Sequence, residues 1–263
     1  MYIGSMDQIF EFIQKNKKSI VLVLLIICLL ITIISSIRQN FFQKPPASLV
    51  IQKIQKKERF VNNKKYTETI LNEDPKIIYI ENFVTPEQAA HLMKLADDLK
   101  KPSTIDTKDD PYTLVTNVRS SESAHLGKAR DSIVKEIEDS ACDYIGLDTH
   151  YLEPMQVVVY EKGQKFNSHY DFFSPDTADL ERRGNRNKTI LVYLNDIPEE
   201  FGGATNFPKL NLKIQPKAYS AVYFENMNGS KLNYDTLHSG DELISDKIKK
   251  YAINIWFREK ATW

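Results

Sequence analysis

The stretch MQVVVYEKGQKFNSHYDFF, residues 155–173, joins a strand-like apolar run to a histidine and an aspartate two positions apart. Val157, Val158, Val159 and Tyr160 favour extended backbone, because β-branched and aromatic side chains pack well on a pleated surface. A charged, glycine-containing turn follows at Glu161–Gln164. In an extended segment residues i and i+2 point to the same face. His169 and Asp171 therefore converge on one point, as two ligands of a metal would. His-x-Asp is a common tripeptide, so its meaning depends on what surrounds it.

Working outward, the pattern of short strand-like runs continues. KTILVYL, LKIQ, AYSAVYF and KYAINIWF follow, separated by Gly, Pro, Asn and Asp clusters. Strands at this spacing predict a sandwich or barrel. Upstream, KIIYIENF reads as another strand. Thr85-Pro86-Glu87-Gln88 then supplies an N-cap, a proline at the first helical position and a capping-box glutamine. Leu92, Leu95, Ala96 and Leu99 continue that helix at helical spacing. A second helix is predicted from about Ala124 to Tyr144, with Ile133, Ile137 and Ala141 on one stripe. Helices first and strands later imply a mainly β core buttressed on one face by helices.

The N-terminal end is of a different kind. Ser19 to Ile37 carries no charge. As a helix it would span about 28 Å at 1.5 Å per residue, close to the roughly 30 Å of a bilayer core. Lys15, Lys17 and Lys18 precede it and Arg38 follows. The chain is thus read as a short tail (1–18), a transmembrane signal anchor (19–37), a basic juxtamembrane stalk (38–74) and a catalytic-sized domain (75–263). Lysines lie on both sides of the apolar run, so the positive-inside rule does not set its orientation. The 263 residues carry 35 Lys+Arg against 35 Asp+Glu, and this balance argues against a nucleic-acid binder. With only Cys28 and Cys142, a disulfide framework is not expected and a multi-cysteine zinc site is excluded.

His238, in Leu237-His238-Ser239-Gly240, is the best third partner for His169 and Asp171. Two imidazoles and one carboxylate form the facial set of non-haem Fe(II) oxygenases. His91, His125 and His150 lie in or beside the helical half and read as surface or cap residues. In KYAINIWF, alternation puts Lys250, Ala252, Asn254 and Trp256 on one face and Tyr251, Ile253, Ile255 and Phe257 on the other. The second face suits a core. The first suits a polar cavity, where a lysine needs an anionic partner.

From about Ile78 to Phe257 the chain resembles the prolyl 4-hydroxylase branch of the 2-oxoglutarate/Fe(II)-dependent dioxygenases. The resemblance rests on residues 155–173, on RNKTILVYLNDIPEEFGGATNFP, on AVYFENMNGSKLNYDTLHSG and on KKYAINIWF, with VRSSESAHL ahead of them. It implies a double-stranded β-helix, or jelly roll. It assigns His169, Asp171 and His238 to iron and Lys250 to the distal carboxylate of 2-oxoglutarate. Tyr160 and Thr189 match positions that help hold that carboxylate; Arg119 and Trp256 match a peptide groove. The implied activity is of the procollagen-proline 4-dioxygenase type, with Fe(II), 2-oxoglutarate, O2 and ascorbate. The substrate would be a proline-rich or collagen-like peptide or protein. A hydroxylase of another residue on the same fold, acting on lysine or on a non-collagen protein, is the alternative, and an inactive peptide-binding module is another. Anchored relatives imply a type II membrane protein facing the endoplasmic reticulum or Golgi lumen. Two N-glycosylation sequons begin at Asn187 and Asn228, and Asn228 is the better acceptor because Thr189 is expected inside.

Overall fold

A computed structural model describes residues 15–18, 56–62, 64–105, 117–174, 177 and 180–261. The chain divides into two compact units, Met1–Lys53 and Ile54–Trp263, and every element named below belongs to the second. The predicted anchor, 19–37, lies outside the described residues. Among those described, no helix is long and apolar enough to cross a membrane.

The strands are β1 (Lys56–Val61), β2 (Lys64–Glu73), β3 (Lys76–Glu81), β4 (Lys101–Pro102), β5 (Glu122–His125), β6 (Gln156–Tyr160), β7 (Phe166–His169) and β8 (Arg186–Tyr193). They continue as β9 (Thr205–Phe207), β10 (Leu212–Ile214), β11 (Ala221–Glu225), β12 (Met227–Asn228), β13 (Lys231–Leu232), β14 (His238–Gly240) and β15 (Lys250–Arg258). Among the described residues they form a large sheet, β1-β2-β3-β11-β8-β15-β6-β5-β4, a small sheet, β10-β9-β14-β7, and a β12-β13 hairpin. Pairing within the large and small sheets is antiparallel. Helices α1 (Pro86–Leu99), α2 (Ser132–Ile145) and α3 (Leu180–Arg183) complete the unit.

Alternation along the large sheet separates two cores. One face of β6, β8 and β15 presents Val157, Val159, Ile190, Val192, Ile253, Ile255 and Phe257. Ala89, Leu92 and Ala96 of α1 and Val134, Ile137 and Ala141 of α2 share the same cluster. The opposite face meets the small sheet through Ile77, Tyr193, Val222, Phe224 and Ala252, packed with Phe207 and Ile214. Each buried aliphatic or aromatic side chain contributes roughly 1.5–3 kcal/mol by leaving water. The result is the mainly β jelly roll with helices on one face that the sequence predicts.

Local signals set α1 as expected. Thr85 and Gln88 form a reciprocal capping box, and Pro86 opens the helix. The second helix differs from its predicted start near Ala124. Residues 122–125 form β5, pairing with β6, and α2 begins only after Asp131, whose carboxylate caps the Val134 N–H at 2.9 Å. Ser123 and Ala124 lie opposite Val158 and Val157, so sheet pairing overrides the local helical pattern.

The expected stalk boundary at residue 74 also requires correction, because β1 and β2 occupy residues 56–73 and extend the large sheet beyond β3. Their polar composition hid them. The inward residues of β2 include Tyr66, 1% exposed, and the charged Glu68, 6% exposed. Glu68 accepts a hydrogen bond from the Tyr144 hydroxyl at 2.8 Å, which is how a carboxylate is tolerated in a core position.

Candidate metal centre

β7 and β14 are neighbours in the small sheet, and their register sets His238 opposite His169. Asp171 follows two residues beyond the end of β7. The ligand atoms of His169, Asp171 and His238 all lie within 4.8 Å of one another. Asp171 Oδ1 stands 3.8 Å from His169 Nε2 and 3.9 Å from His238 Nε2.

The protonation pattern suits a cation. His169 Nδ1 is 2.8 Å from the Asn167 carbonyl and His238 Nδ1 is 2.9 Å from the Thr236 carbonyl. A carbonyl only accepts, so each Nδ1 carries the proton and each Nε2 offers its lone pair toward Asp171. Burial, and then the neighbouring His238, push the His169 imidazole down to about 3. Burial alone would raise Asp171, but His238, His169, Arg186 and the Thr189 hydroxyl more than offset it, so its carboxyl lies below the ordinary range. A neutral imidazole and an ionised carboxylate are the states in which these groups bind a divalent metal. Aromatic rings wall the site. Phe166 stacks on His169 with centroids 3.6 Å apart, and Phe207 and Phe224 flank His238 at 5.3 and 5.0 Å. The donor set therefore fits Fe(II).

A cavity opens beside the triad, lined by Lys250, Tyr160, Thr205, Ser239, Gly240 and Asn254 together with both histidines. The registers of β6, β8 and β15 explain its wall. Lys250 lies opposite Tyr160, Ala252 opposite Val158, and Asn254 opposite Gln156 and Leu191. Lys250 is 2% exposed. Burial pulls its ammonium down to about 8, against a small opposing pull from Asp241. Its Nζ sits 5.1 Å from the Tyr160 ring centroid and 5.9 Å from that of Tyr193.

The Gly202-Gly203 pair has a steric cause. Both residues have positive φ, at 72° and 69°. A Cβ on Gly202 would lie 2.3 Å from the Glu242 carbonyl oxygen, so only glycine lets the two segments run side by side. A Cβ on Gly240 would stand 3.2 Å from the Tyr160 hydroxyl. Glycine there keeps the cavity floor open.

A 2OG-Fe(II) oxygenase superfamily model matches residues 155–258. Over 234 residues the chain is 30% identical to probable prolyl 4-hydroxylase 8 of Arabidopsis thaliana, covering 79% of this chain and 78% of that one. Over 219 residues it is 33% identical to probable prolyl 4-hydroxylase 4 of the same plant, covering 75% and 71%. The chain belongs to the prolyl 4-hydroxylase family of 2OG-Fe(II) oxygenases. The crystal structure of a viral collagen prolyl hydroxylase from Paramecium bursaria Chlorella virus-1, in complex with 2-oxoglutarate, is also similar. It superposes with a TM-score of 0.56 at 25% identity, covering 69% of this chain and 95% of that one. Fe(II), 2-oxoglutarate and O2 are accordingly the metal and co-substrates of this prolyl 4-hydroxylase family member, with ascorbate the family's usual reductant.

The remaining candidates fall in distinct places. Tyr160 lines the cavity with Lys250, and burial raises its phenol. Thr189 does not line it. Its hydroxyl instead donates to Asp171 Oδ2 at 2.8 Å. Arg119 is buried behind the site, not free in a groove. It donates to Ser121, Ser123, Gln156 and the Thr104 carbonyl, and lies 4.7 Å over the Phe166 ring. Trp256 pairs with Thr189 in the ladder and carries the Arg186 guanidinium 3.7 Å over its ring. Arg186 in turn grips Glu153 through two 2.8 Å contacts. The other histidines are engaged elsewhere: His91 with Asp131, His125 with Gln156 and His150 with Asp148.

Sequence reasoning passed over Thr205 and Asn226. Thr205 lies inside the quoted GGATNFP run, alternating inward from β9, and accepts from the Tyr193 hydroxyl at 2.8 Å. Asn226 carries no local signal. Only the folded sheet places it behind Thr189.

Proposed function

We infer that this chain hydroxylates peptidyl proline at C4, consuming O2 and 2-oxoglutarate and releasing succinate and CO2. The single observation that carries this is His169, Asp171 and His238 gathered beside a cavity with a buried lysine, in a member of the prolyl 4-hydroxylase family. When bound, Fe(II) with 2-oxoglutarate and O2 supplies the oxidising power that replaces a C–H bond of proline by C–OH.

The protein's part is binding, orientation and exclusion of water. His169 and His238 would hold the metal through Nε2, each fixed by its Nδ1–H to a backbone carbonyl. Asp171 would add Oδ1. Lys250 would pair with the distal carboxylate of 2-oxoglutarate. It acts by charge and position and moves no proton. Phe166 packs on His169, and Phe207 and Phe224 flank the buried His238. The substrate is a proline-rich or collagen-like polypeptide. A lysine at position 250, where lysyl hydroxylases are expected to use arginine, supports proline over lysine as target.

The uncharged run 19–37 supports a single-pass anchor, and the resemblance to anchored relatives supports a catalytic unit on the lumenal side of the endoplasmic reticulum or Golgi.

The test is the full chain in detergent with Fe(II), ascorbate and 2-oxoglutarate, on (Pro-Pro-Gly)n and poly-proline peptides. Succinate and a peptide gain of one oxygen are followed together by mass spectrometry. Coupled products that vanish in His169→Ala are expected. Folded, iron-loaded chain that yields neither product on either peptide would remove the proline reading.

A further inference from the structure

Behind Asp171 lies a short hydrogen-bonded chain. The Thr189 hydroxyl is 2.8 Å from Asp171 Oδ2, and Asn226 Nδ2 is 2.9 Å from the same hydroxyl oxygen. Thr189 is 1% exposed and Asn226 is fully buried. The direction of each bond follows from chemistry. An ionised carboxylate only accepts, so the one Thr189 proton goes to Oδ2. The hydroxyl oxygen is then left to accept, and Asn226 must present its N–H to it.

Asn226 is an expensive residue for a scaffold. Its side-chain oxygen Oδ1 finds no protein partner among the described residues, and a buried polar atom left so costs about 1–3 kcal/mol. An aliphatic side chain of similar size would avoid that cost. Backbone bonds already secure the segment, from Asn226 N–H to the Asn187 carbonyl at 2.9 Å and from Asn233 N–H to the Asn226 carbonyl at 2.8 Å. The amide therefore serves Thr189 and, through it, Asp171.

The two carboxylate oxygens thus have separate neighbours. Oδ1 faces both histidine Nε2 atoms, and Oδ2 is tied to Thr189. We propose that Thr189 and Asn226 are positioning residues that make Asp171 a one-oxygen ligand. A carboxylate free to turn could offer a metal both oxygens and would take a position that the chelating 2-oxo acid needs. Outer partners of metal ligands commonly set the orientation and basicity of those ligands. The proposal rests on the metal-site reading above.

The experiment uses the full chain in detergent with Co(II) as the probe, because its visible absorption reports coordination number. Co(II) is titrated first, and 2-oxoglutarate is then titrated into the Co(II)-loaded chain. Thr189→Val is expected to alter the Co(II) spectrum and to weaken 2-oxoglutarate about 10-fold. Thr189→Ser, which restores the hydroxyl, is expected to recover both. Asn226→Leu keeps Thr189 and is expected to weaken 2-oxoglutarate by about 3-fold, a fraction of the effect of losing the hydroxyl itself, with the metal-free melting temperature retained. It carries the test if Thr189→Val does not fold. A Co(II) spectrum and 2-oxoglutarate affinity unchanged in these variants would overturn the relay and leave the metal centre standing. Failure of the unsubstituted chain to bind Co(II) would remove the metal centre, and the relay with it.

Discussion

Lys250 carries a positive charge into a place where an unpaired one is costly. Among the described residues no carboxylate reaches ion-pair distance of it, and Asp241 acts only weakly from farther away. The folded chain releases this proton near pH 8, whereas the unfolded chain keeps it to about 10.5. Between those values the unfolded chain binds more protons, so stability rises with pH. Below pH 8 both states hold the proton and the burial cost is present in full. Lys250→Met is therefore expected to stabilise the ligand-free protein by roughly 1–3 kcal/mol at pH 7. That gain shrinks above pH 8 and vanishes near 10.5. The same change should weaken 2-oxoglutarate on the order of 10²-fold, as loss of a buried ionic partner does. Urea unfolding across pH and 2-oxoglutarate titration check the two halves. A variant that is less stable at pH 7 and still binds the co-substrate would show that Lys250 is a packing residue. The sign for binding is opposite: affinity of the unsubstituted chain for 2-oxoglutarate should fall as pH rises past 8.

At the scale of elements, the β1-β2 hairpin is the part whose role composition concealed. It covers the edge of β3 and inserts Tyr66 against Phe83 and Tyr144, with ring centroids 5.8 and 5.2 Å apart. Arg59 donates to the Tyr144 carbonyl at 2.8 Å and lies 4.4 Å over its ring. A chain starting at Pro75 loses these contacts and exposes the β3 edge, which is a template for association. It is expected to melt well below a chain starting at Ile54 and to aggregate on heating. Calorimetry with light scattering on the two truncations measures this. Equal melting temperatures would mean the hairpin is an appendage. β15 was easier to read, because a core face and a cavity face alternate along one strand without interruption. α2 was harder, because strand pairing by residues far away in sequence claimed its predicted first turns.

For the whole molecule, the proposed lumenal placement of the catalytic unit has a structural reporter. Asn187 lies in β8 with its side-chain oxygen buried, and Thr189 of its sequon is engaged with Asp171. Asn228 is exposed at the β12-β13 turn, where Gly229 has φ 58° and Ser230 is exposed. If the catalytic unit faces the lumen, the full chain expressed in a eukaryotic cell should carry a glycan at Asn228 and none at Asn187. The expected shift on glycosidase treatment disappears in Asn228→Gln and persists in Asn187→Gln. An unglycosylated chain whose catalytic unit is also digested by protease added to intact vesicles would place that unit on the cytoplasmic side.

The grouping of His169, Asp171 and His238 and the cavity-facing side of Lys250 were legible from the sequence because the signals lie in local patterns: a two-residue spacing, an alternating strand and motifs in family order. The capping box of α1 was legible for the same reason, since its partners are three residues apart. Tertiary structure alone decided the rest. The opposition of His238 to His169, the burial of Lys250, the reassignment of Thr189 to Asp171 and the place of Asn226 behind it all depend on residues brought together across strands. The domain boundary belongs there too, because Glu68 becomes a core residue only when Tyr144, 76 positions away, reaches its carboxylate. Short-range pattern encodes which residues share a face, and only the closed sheets determine which faces meet.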